Sequence, residues 1–463
     1  MRRWLSALLL AAGLLLPLID VAAQSSGPTY IVQEDDTLIG IAEMFGATLE
    51  ELVQVNGITD PSLIFPGSAL VIPGYEGVEG VLTTRPIEYG ETLESLAVRN
   101  GLSEETLIRL NHLVAPGRLY VGEPVIAPVR EGNSSALEDA RPELVGRGET
   151  ALGTAARAGL NPWLPLSLRP EPLRLWALPG SVLFLPGGEG PVNGLAAPVA
   201  AISVAPDLAV QGRAEVVRIE LTAPAWAEGS LGPWPLQFHS LGPNELVALQ
   251  GVHALAEPGM YDLEIRILDA QGGSVVDDFS QPIRVTDGGY LFDPPLVVPP
   301  ETIDPAVTGP EEDLVRSIIG NSSPDRSWDG PFQFPSPYTE AFPSRFGSRR
   351  NYNDTGYFYY HTGLDFYGGT GTQILAPAPG RVVFAGLLAV RGNTTFIDHG
   401  WGILTGYLHQ SEIQVAEGDL VETGQVIGLV GATGRVTGAH LHWEIWVGGV
   451  PVDPLDWVAN SYP

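Results

Sequence analysis

The chain contains no cysteine, and none of its 24 basic residues is lysine; all are arginine. Without cysteine there are no disulfides, so each domain must be held by its own apolar core. Nor is there a thiol to carry a lipid anchor. Basic residues are few against 54 acidic ones, giving a formal charge of −30. Such a chain is repelled by nucleic acid and by anionic lipid, so no nucleic-acid partner is expected. Long apolar runs are scarce too. The one candidate, Leu5–Leu18, is shorter than the roughly 20 residues a spanning helix needs. With Arg2 and Arg3 before it and Val21-Ala22-Ala23 after it, residues 1–23 read as a secretory signal peptide. That predicts a secreted or cell-envelope (extracytoplasmic) location, with no spanning membrane segment after signal cleavage. Histidine numbers only eight, which makes its distribution informative.

At 463 residues the sequence should hold several domains, and its 56 glycines and 41 prolines point to turns and linkers rather than long helices. An internal repeat comes first. Thr37, Asn56 and Pro73 recur 55 positions later as Thr92, Asn111 and Pro128. Each copy reads as a short strand, two helices and a closing strand. Thr37 and Thr92 stand as caps before apolar residues at helical spacing. Pro66-Gly67, or Val121-Gly122, turns the chain into the last strand. These segments, 29–73 and 84–128, resemble LysM modules. The resemblance implies βααβ domains that bind the N-acetylglucosamine-containing glycan of peptidoglycan or chitin. A third unit, 143–187, matches the start and end of the pattern. Pro162, Pro165, Pro170 and Pro172 would break its second helix, so it reads as degenerate, with glycan binding lost.

From 197 to 286 the period changes to two, as in Ala214–Leu221 and Tyr261–Ile267. Short strands joined by turns suggest an immunoglobulin-like β-sandwich. His239 and His253 are expected there as structural or surface residues. Residues 287–342 read as a proline-rich linker, a semi-rigid spacer carrying one short helix over Glu311–Gly320. The irregular stretch Asn321–Pro343 is a candidate plug for a downstream groove.

Four of the eight histidines fall in three short motifs: His361-Thr362-Gly363-Leu364-Asp365, Tyr407-Leu408-His409, and His440-Leu441-His442-Trp443-Glu444. Residues two apart on a strand face the same side, so His440 and His442 share one pocket. One can bind metal while its neighbour moves protons. Catalytic zinc takes three protein ligands and leaves the fourth position to water, and a nitrogen/oxygen donor set suits it. Glycines punctuate short apolar strands throughout this region, as in a compact antiparallel β fold. His399 reads as a framework residue, and Tyr359 and Tyr360 as cleft-lining or packing residues.

Residues 343–457 resemble the lysostaphin-type peptidoglycan endopeptidases, a family of zinc metallopeptidases. Ser344-Arg345-Phe346-Gly347, Ala376–Val382, Gly424–Gly428 and Val452-Asp453-Pro454 join the histidine motifs in that likeness. The resemblance implies His361, Asp365 and His442 as ligands of one Zn2+. It implies His440 as the general base and His409 as a second catalytic histidine that stabilises the tetrahedral intermediate. The expected molecule is multidomain and mainly β: LysM βααβ modules, an immunoglobulin-like β-sandwich and a C-terminal antiparallel-β zinc peptidase domain. Its expected function is that of a secreted zinc-dependent peptidoglycan endopeptidase, cutting stem or cross-link peptides and targeted by LysM glycan binding. The alternative is a catalytically latent or regulatory wall-binding protein that activates another hydrolase. Relatives of that regulatory kind lack some zinc ligands, whereas this chain keeps every position.

Overall fold

A computed structural model describes residues 27–62, 64–129, 140–145, 150–157, 159–160, 182–186, 195, 197–271 and 273–463. The signal peptide at 1–23 and the four prolines of the degenerate unit lie outside them. No helix among the described residues is long and apolar enough to cross a membrane. Two compact units are present: 1–83 with 127–133, and 84–126 with 134–463.

In the first unit, Thr29–Ile31 pairs antiparallel with Ala69–Val71, and the beginning of Val81–Pro86 joins it in parallel. The repeat signature has a structural reason. Thr37 accepts from the Gly40 N–H and caps the helix Leu38–Met44. Thr48 and Glu51 form a reciprocal capping box for the helix Leu49–Asn56. The Asn56 side chain then reaches 15 residues ahead, donating to the Val71 carbonyl (2.8 Å) and accepting from its N–H (2.7 Å). It therefore ties helix to strand like one more rung of the ladder. The second copy repeats the device: Thr92 caps Leu93–Asn100, Ser103 caps Glu104–Asn111, and Asn111 holds both backbone groups of Ile126. Of the degenerate unit, Ala140–Leu144 pairs with Val182–Pro186, and the helix Ala151–Arg157 contributes Ala155 to a small core with Val145, Leu183 and Leu185.

Within the second unit, Val199–Thr286 folds as two sheets that share a core. One has five strands and the other four, and Val217, Ile219, Leu263, Ile265 and Ile267 meet between them. The alternation that flagged these strands is the alternation of core-facing side chains. The second repeat docks on this sandwich. The buried Tyr89 hydroxyl donates to the Leu263 carbonyl (2.8 Å), Gly90 N–H donates to Gln281 Oε1 (2.7 Å), and Val121 N–H donates to the Pro282 carbonyl (3.0 Å).

The C-terminal domain is built on a seven-stranded sheet that runs Leu364–Phe366, Leu441–Val447, Ile403–Gln410, Gly392–Gly400, Gly380–Leu388, Leu420–Val421, with Val450–Val452 paired beside Leu441–Val447. A three-stranded sheet lies alongside. Along Leu441–Val447 the odd residues Leu441, Trp443, Ile445 and Val447 enter the main core. The even residues His442 and Glu444 therefore point to the opposite side. The sandwich packs on this domain through Val247 and Leu249, with Asp453 N–H donating to the Gly212 carbonyl at 2.7 Å.

Three expectations change. The helix expected over Glu311–Gly320 runs over Pro305–Ile319, because Asp304 caps it and Pro305 supplies a preset first position; Pro310 lies inside it. The proline-rich segment is not a free spacer. Phe292 and Leu296 bridge to Arg349 and Tyr352, so the chain lies against the C-terminal domain. Asn321–Pro343 is not a plug: Trp328 and Phe332 pack with Trp401 and Trp457 in the domain's core.

Candidate metal centre and catalytic site

Strand pairing brings the motifs together. Asp365 lies directly opposite His442 in the antiparallel ladder, and Leu408, next to His409, lies opposite His442 on the other side. His361 returns to the same point through the turn at Gly363. A Cβ at Gly363 would stand 2.3 Å from the Trp443 carbonyl oxygen, so only glycine allows that approach. His409 is held at φ 62°, a left-handed backbone that aims its ring into the cavity.

His361 Nε2, Asp365 Oδ1 and His442 Nδ1 converge. They are 3.0 Å (His361–Asp365), 2.9 Å (His361–His442) and 2.9 Å (His442–Asp365) apart, and all three residues are buried. That triangle is close to the roughly 3.3 Å edge of a tetrahedron with ~2.0 Å metal–ligand bonds. The remaining ring nitrogens fix which lone pairs are available. His361 Nδ1 donates to the Arg345 carbonyl at 2.8 Å. His442 Nε2 donates to Glu444 Oε1 at 3.3 Å. With a metal bound, each imidazole would turn its other nitrogen, unprotonated, toward the common point, as a ligand requires; the Asp365 and Glu444 carboxylates otherwise outweigh burial and raise His442 to about 9. Burial alone would raise Asp365, but His361 and His442 outweigh it and hold the carboxyl well below the usual range. The donor set fits one zinc ion.

The other two histidines face this triangle. His440 Nδ1 donates to the Gly438 carbonyl at 2.9 Å, and its Nε2 stands 3.7 Å from Asp365 Oδ1. His409 Nδ1 donates to the Thr433 carbonyl at 2.8 Å. The two rings lie 5.2 Å apart. Burial, then the neighbouring His442 and His440, lowers His409 to about 3, so it is neutral. With its proton on the Thr433 side, His409 offers an acceptor at Nε2. It becomes a donor to an oxyanion only after taking up a proton. The five sequence-derived residues His361, Asp365, His409, His440 and His442 line one cavity of about 480 Å3.

Comparison with known proteins gives the same assignment to this segment. The model of peptidase family M23 matches residues 359–454, and the LysM domain model matches 30–73 and 87–128. The chain carries a peptidase family M23 domain and two LysM domains. It is 45% identical over 95 residues to the DD-carboxypeptidase/endopeptidase Mpg of Neisseria meningitidis, a match that covers 20% of this chain and 22% of that protein. It is 43% identical over 112 residues to the peptidoglycan DD-endopeptidase ShyA of Vibrio cholerae, covering 24% of this chain and 26% of that protein. The chain thus spans about a quarter of the length of these curated relatives. A solved M23 peptidase from Pseudomonas aeruginosa aligns over 54% of this chain and 94% of its own, with 26% identity and a TM-score of 0.40.

Around the M23 site the structure adds residues whose roles were not read from sequence. Glu444 stood in the last motif without a role. It is buried, accepts from Thr362 Oγ1 (2.6 Å) and Trp446 Nε1 (2.9 Å) as well as from His442, and so braces that histidine. Against burial, Arg391, His442 and Thr362 hold Glu444 down at about 2, so it stays anionic. The two-residue period that paired His440 with His442 extends to Glu444, which was the available signal. His253 is more than a sandwich surface residue: it lines the M23 cavity, with its ring edge-on to Tyr360 at 5.3 Å. No sequence pattern links those two. Burial, then the Glu444 charge, pushes the Tyr360 hydroxyl up, so it remains a donor. Tyr359 lines the cavity too. His399 bonds to the Pro379 carbonyl and Thr405 Oγ1, away from the M23 site.

Proposed function

We propose that this chain is an exported zinc-dependent peptidoglycan endopeptidase that cuts stem or cross-link peptides while its LysM modules hold it on glycan. The observation that carries the reading is the convergence of His361 Nε2, Asp365 Oδ1 and His442 Nδ1, each with its partner atoms already fixed. The names of the Neisseria and Vibrio relatives support the substrate class. Zinc, when bound, lowers the pKa of a coordinated water and polarises the scissile carbonyl.

The protein's own groups supply the rest. His440 is the general base: its Nε2 takes the proton of the attacking water and returns it to the leaving amine. His409 Nε2, opposite, accepts a hydrogen bond from the same water and orients it. The protonated Tyr360 hydroxyl offers a further donor in the cleft. A polymeric substrate explains the modular plan, since LysM attachment raises the local concentration of stems around the cleft. The complete set of five site residues argues against a purely regulatory, inactive protein.

Incubating the full-length protein with purified peptidoglycan should release peptide-cleaved fragments, and a chelator should abolish them. His440→Ala should lower turnover by about 100- to 10,000-fold while zinc content stays near wild type. Loss of zinc in that variant would overturn the division of roles between His440 and His442. Removing 29–73 should weaken sedimentation with the wall yet leave cleavage of a soluble peptide intact.

A further inference from the structure

The chain is strongly acidic, with 54 acidic residues against 24 basic ones, yet three arginines line the cavity of the five site residues: Arg350, Arg391 and Arg435. Two of them are neutralised by the protein itself. Arg350 Nε stands 3.0 Å from Asp293 Oδ2, and the Arg391 guanidinium donates to Glu311 Oε1 at 3.0 Å. Arg435 is held differently. Its guanidinium donates to the Thr302 carbonyl at 2.9 Å and lies 4.5 Å from the centre of the Tyr352 ring. Among the described residues no carboxylate stands within ion-pair distance of it. A carbonyl and a ring face fix the fork in place without cancelling its charge. The ring is fixed in turn: Tyr352 is buried and packs on Tyr359 with ring centres 5.3 Å apart.

The loop that carries Arg435 also serves both histidines outside the metal triangle. Its Thr433 carbonyl accepts from His409 Nδ1, and the loop ends at His440, whose N–H donates back to the Gly431 carbonyl at 3.3 Å. Between them Arg435 N–H donates to the Val390 carbonyl at 2.8 Å. Gly434 has φ 77°, and a Cβ there would stand 2.4 Å from that carbonyl oxygen, so only glycine lets the loop close. Arg435 is thus set beside the water-handling histidines by the same turn that orients them.

Resting on the peptidase reading above, we propose that Arg435 selects the substrate by pairing with a free carboxylate that the peptide carries beside the bond to be cut. A guanidinium presents its N–H groups as a planar fork that matches a carboxylate, and only one nitrogen of this fork is committed to Thr302. The long-range field of a chain at −30 repels an anionic substrate, so a carboxylate is retained in the cavity only by a local cation. The substrate carboxylate completes for Arg435 the pairing that Asp293 and Glu311 supply to its two neighbours. The site therefore takes peptides that are anionic beside the scissile bond and turns away those in which that carboxylate is amidated.

The test uses the full-length protein and two soluble stem peptides that differ only at that carboxylate, free in one and amidated in the other. Wild type should favour the free form by about 10- to 100-fold in kcat/KM, mostly through KM, as a charge-assisted pair predicts. Arg435→Gln should bring that ratio down to about twofold or less, whereas Arg435→Lys, which keeps the charge but not the fork, should fall between. The lysine variant also supplies the ratio if the glutamine variant is too slow to measure. The ratio decides, because a loop that had merely lost its shape would lower cleavage of both peptides together. Equal cutting of the two peptides by wild type overturns the proposal. So does a wild-type ratio in the variants, whatever the fall in rate. If wild type cuts neither peptide and leaves purified peptidoglycan intact, the peptidase reading fails instead.

Discussion

The two LysM copies have the same helices, the same caps and the same asparagine clamp, yet matching positions live in opposite environments. Glu34 is exposed, and its counterpart Tyr89 is 2% exposed, with its hydroxyl bonded to the Leu263 carbonyl. Pro66 is exposed, and its counterpart Val121 is 2% exposed, bonded through its N–H to the Pro282 carbonyl. The loop face that the second copy uses to dock on the sandwich is, in the first copy, open. The repeat thus defines how each module is built, and a few loop residues define what it is for. The same holds on a smaller scale for His440 and His442. They share a strand face, but one has a backbone carbonyl at Nδ1 while the other sits between two carboxylates.

Substitutions at matched positions test this contrast. Tyr89→Ala should be the most damaging, lowering unfolding stability by about 3–5 kcal/mol, as expected for truncating a buried aromatic. Glu444→Gln should weaken zinc affinity by about 10- to 100-fold in competition with a chromogenic chelator, because it removes the anion that orients His442. His440 has no such brace, so substitutions at Gly438 should leave affinity unchanged. Tyr89→Phe keeps the ring and should lose only about 1 kcal/mol, the usual worth of a hydroxyl hydrogen bond. Glu34→Ala, at the matching exposed position, should stay within about 0.5 kcal/mol of wild type. Equal effects at 34 and 89 would erase the distinction between the copies.

A buried carboxylate within the sandwich provides a pH-dependent counterpart. Glu215 is fully buried on the strand Ala214–Leu221, and neither carboxylate oxygen has a hydrogen-bond partner among the described residues. Burial, then the charge of Asp456, pushes its carboxyl well above the usual range. The folded state therefore holds a proton that the unfolded chain releases at a lower pH. Stability from this group is present below the unfolded value and falls as pH rises toward the folded one. Glu215→Gln should melt higher than wild type at pH 8, and the gap should close near pH 4. A constant gap across that range would contradict the assignment.

Much of the site was legible because its chemistry is local. Two histidines at strand spacing, and a histidine and an aspartate around a tight glycine turn, declare themselves in a chain with eight histidines. Glu444 belonged to the same period, but its role depends on Thr362 and Trp446 closing over it. The docking of Tyr89 on Phe279 and Leu263 joins residues more than 170 positions apart, which no periodicity encodes. The proline-rich segment was misread for a related reason. Prolines predict extended chain, and the structure has it around Phe292 and Leu296, ahead of the helix Pro305–Ile319, but composition does not say whether that chain stands free or lies along a neighbouring strand.

The central claim is that His361, Asp365 and His442 hold a zinc ion that this domain uses to cut peptidoglycan peptides. Digestion of purified peptidoglycan by the full-length protein, analysed by mass before and after metal removal and after zinc is restored, tests it most directly. The account predicts peptide-bond cleavage products that vanish with the metal and return with it. Products that persist unchanged in fully metal-free protein would contradict it.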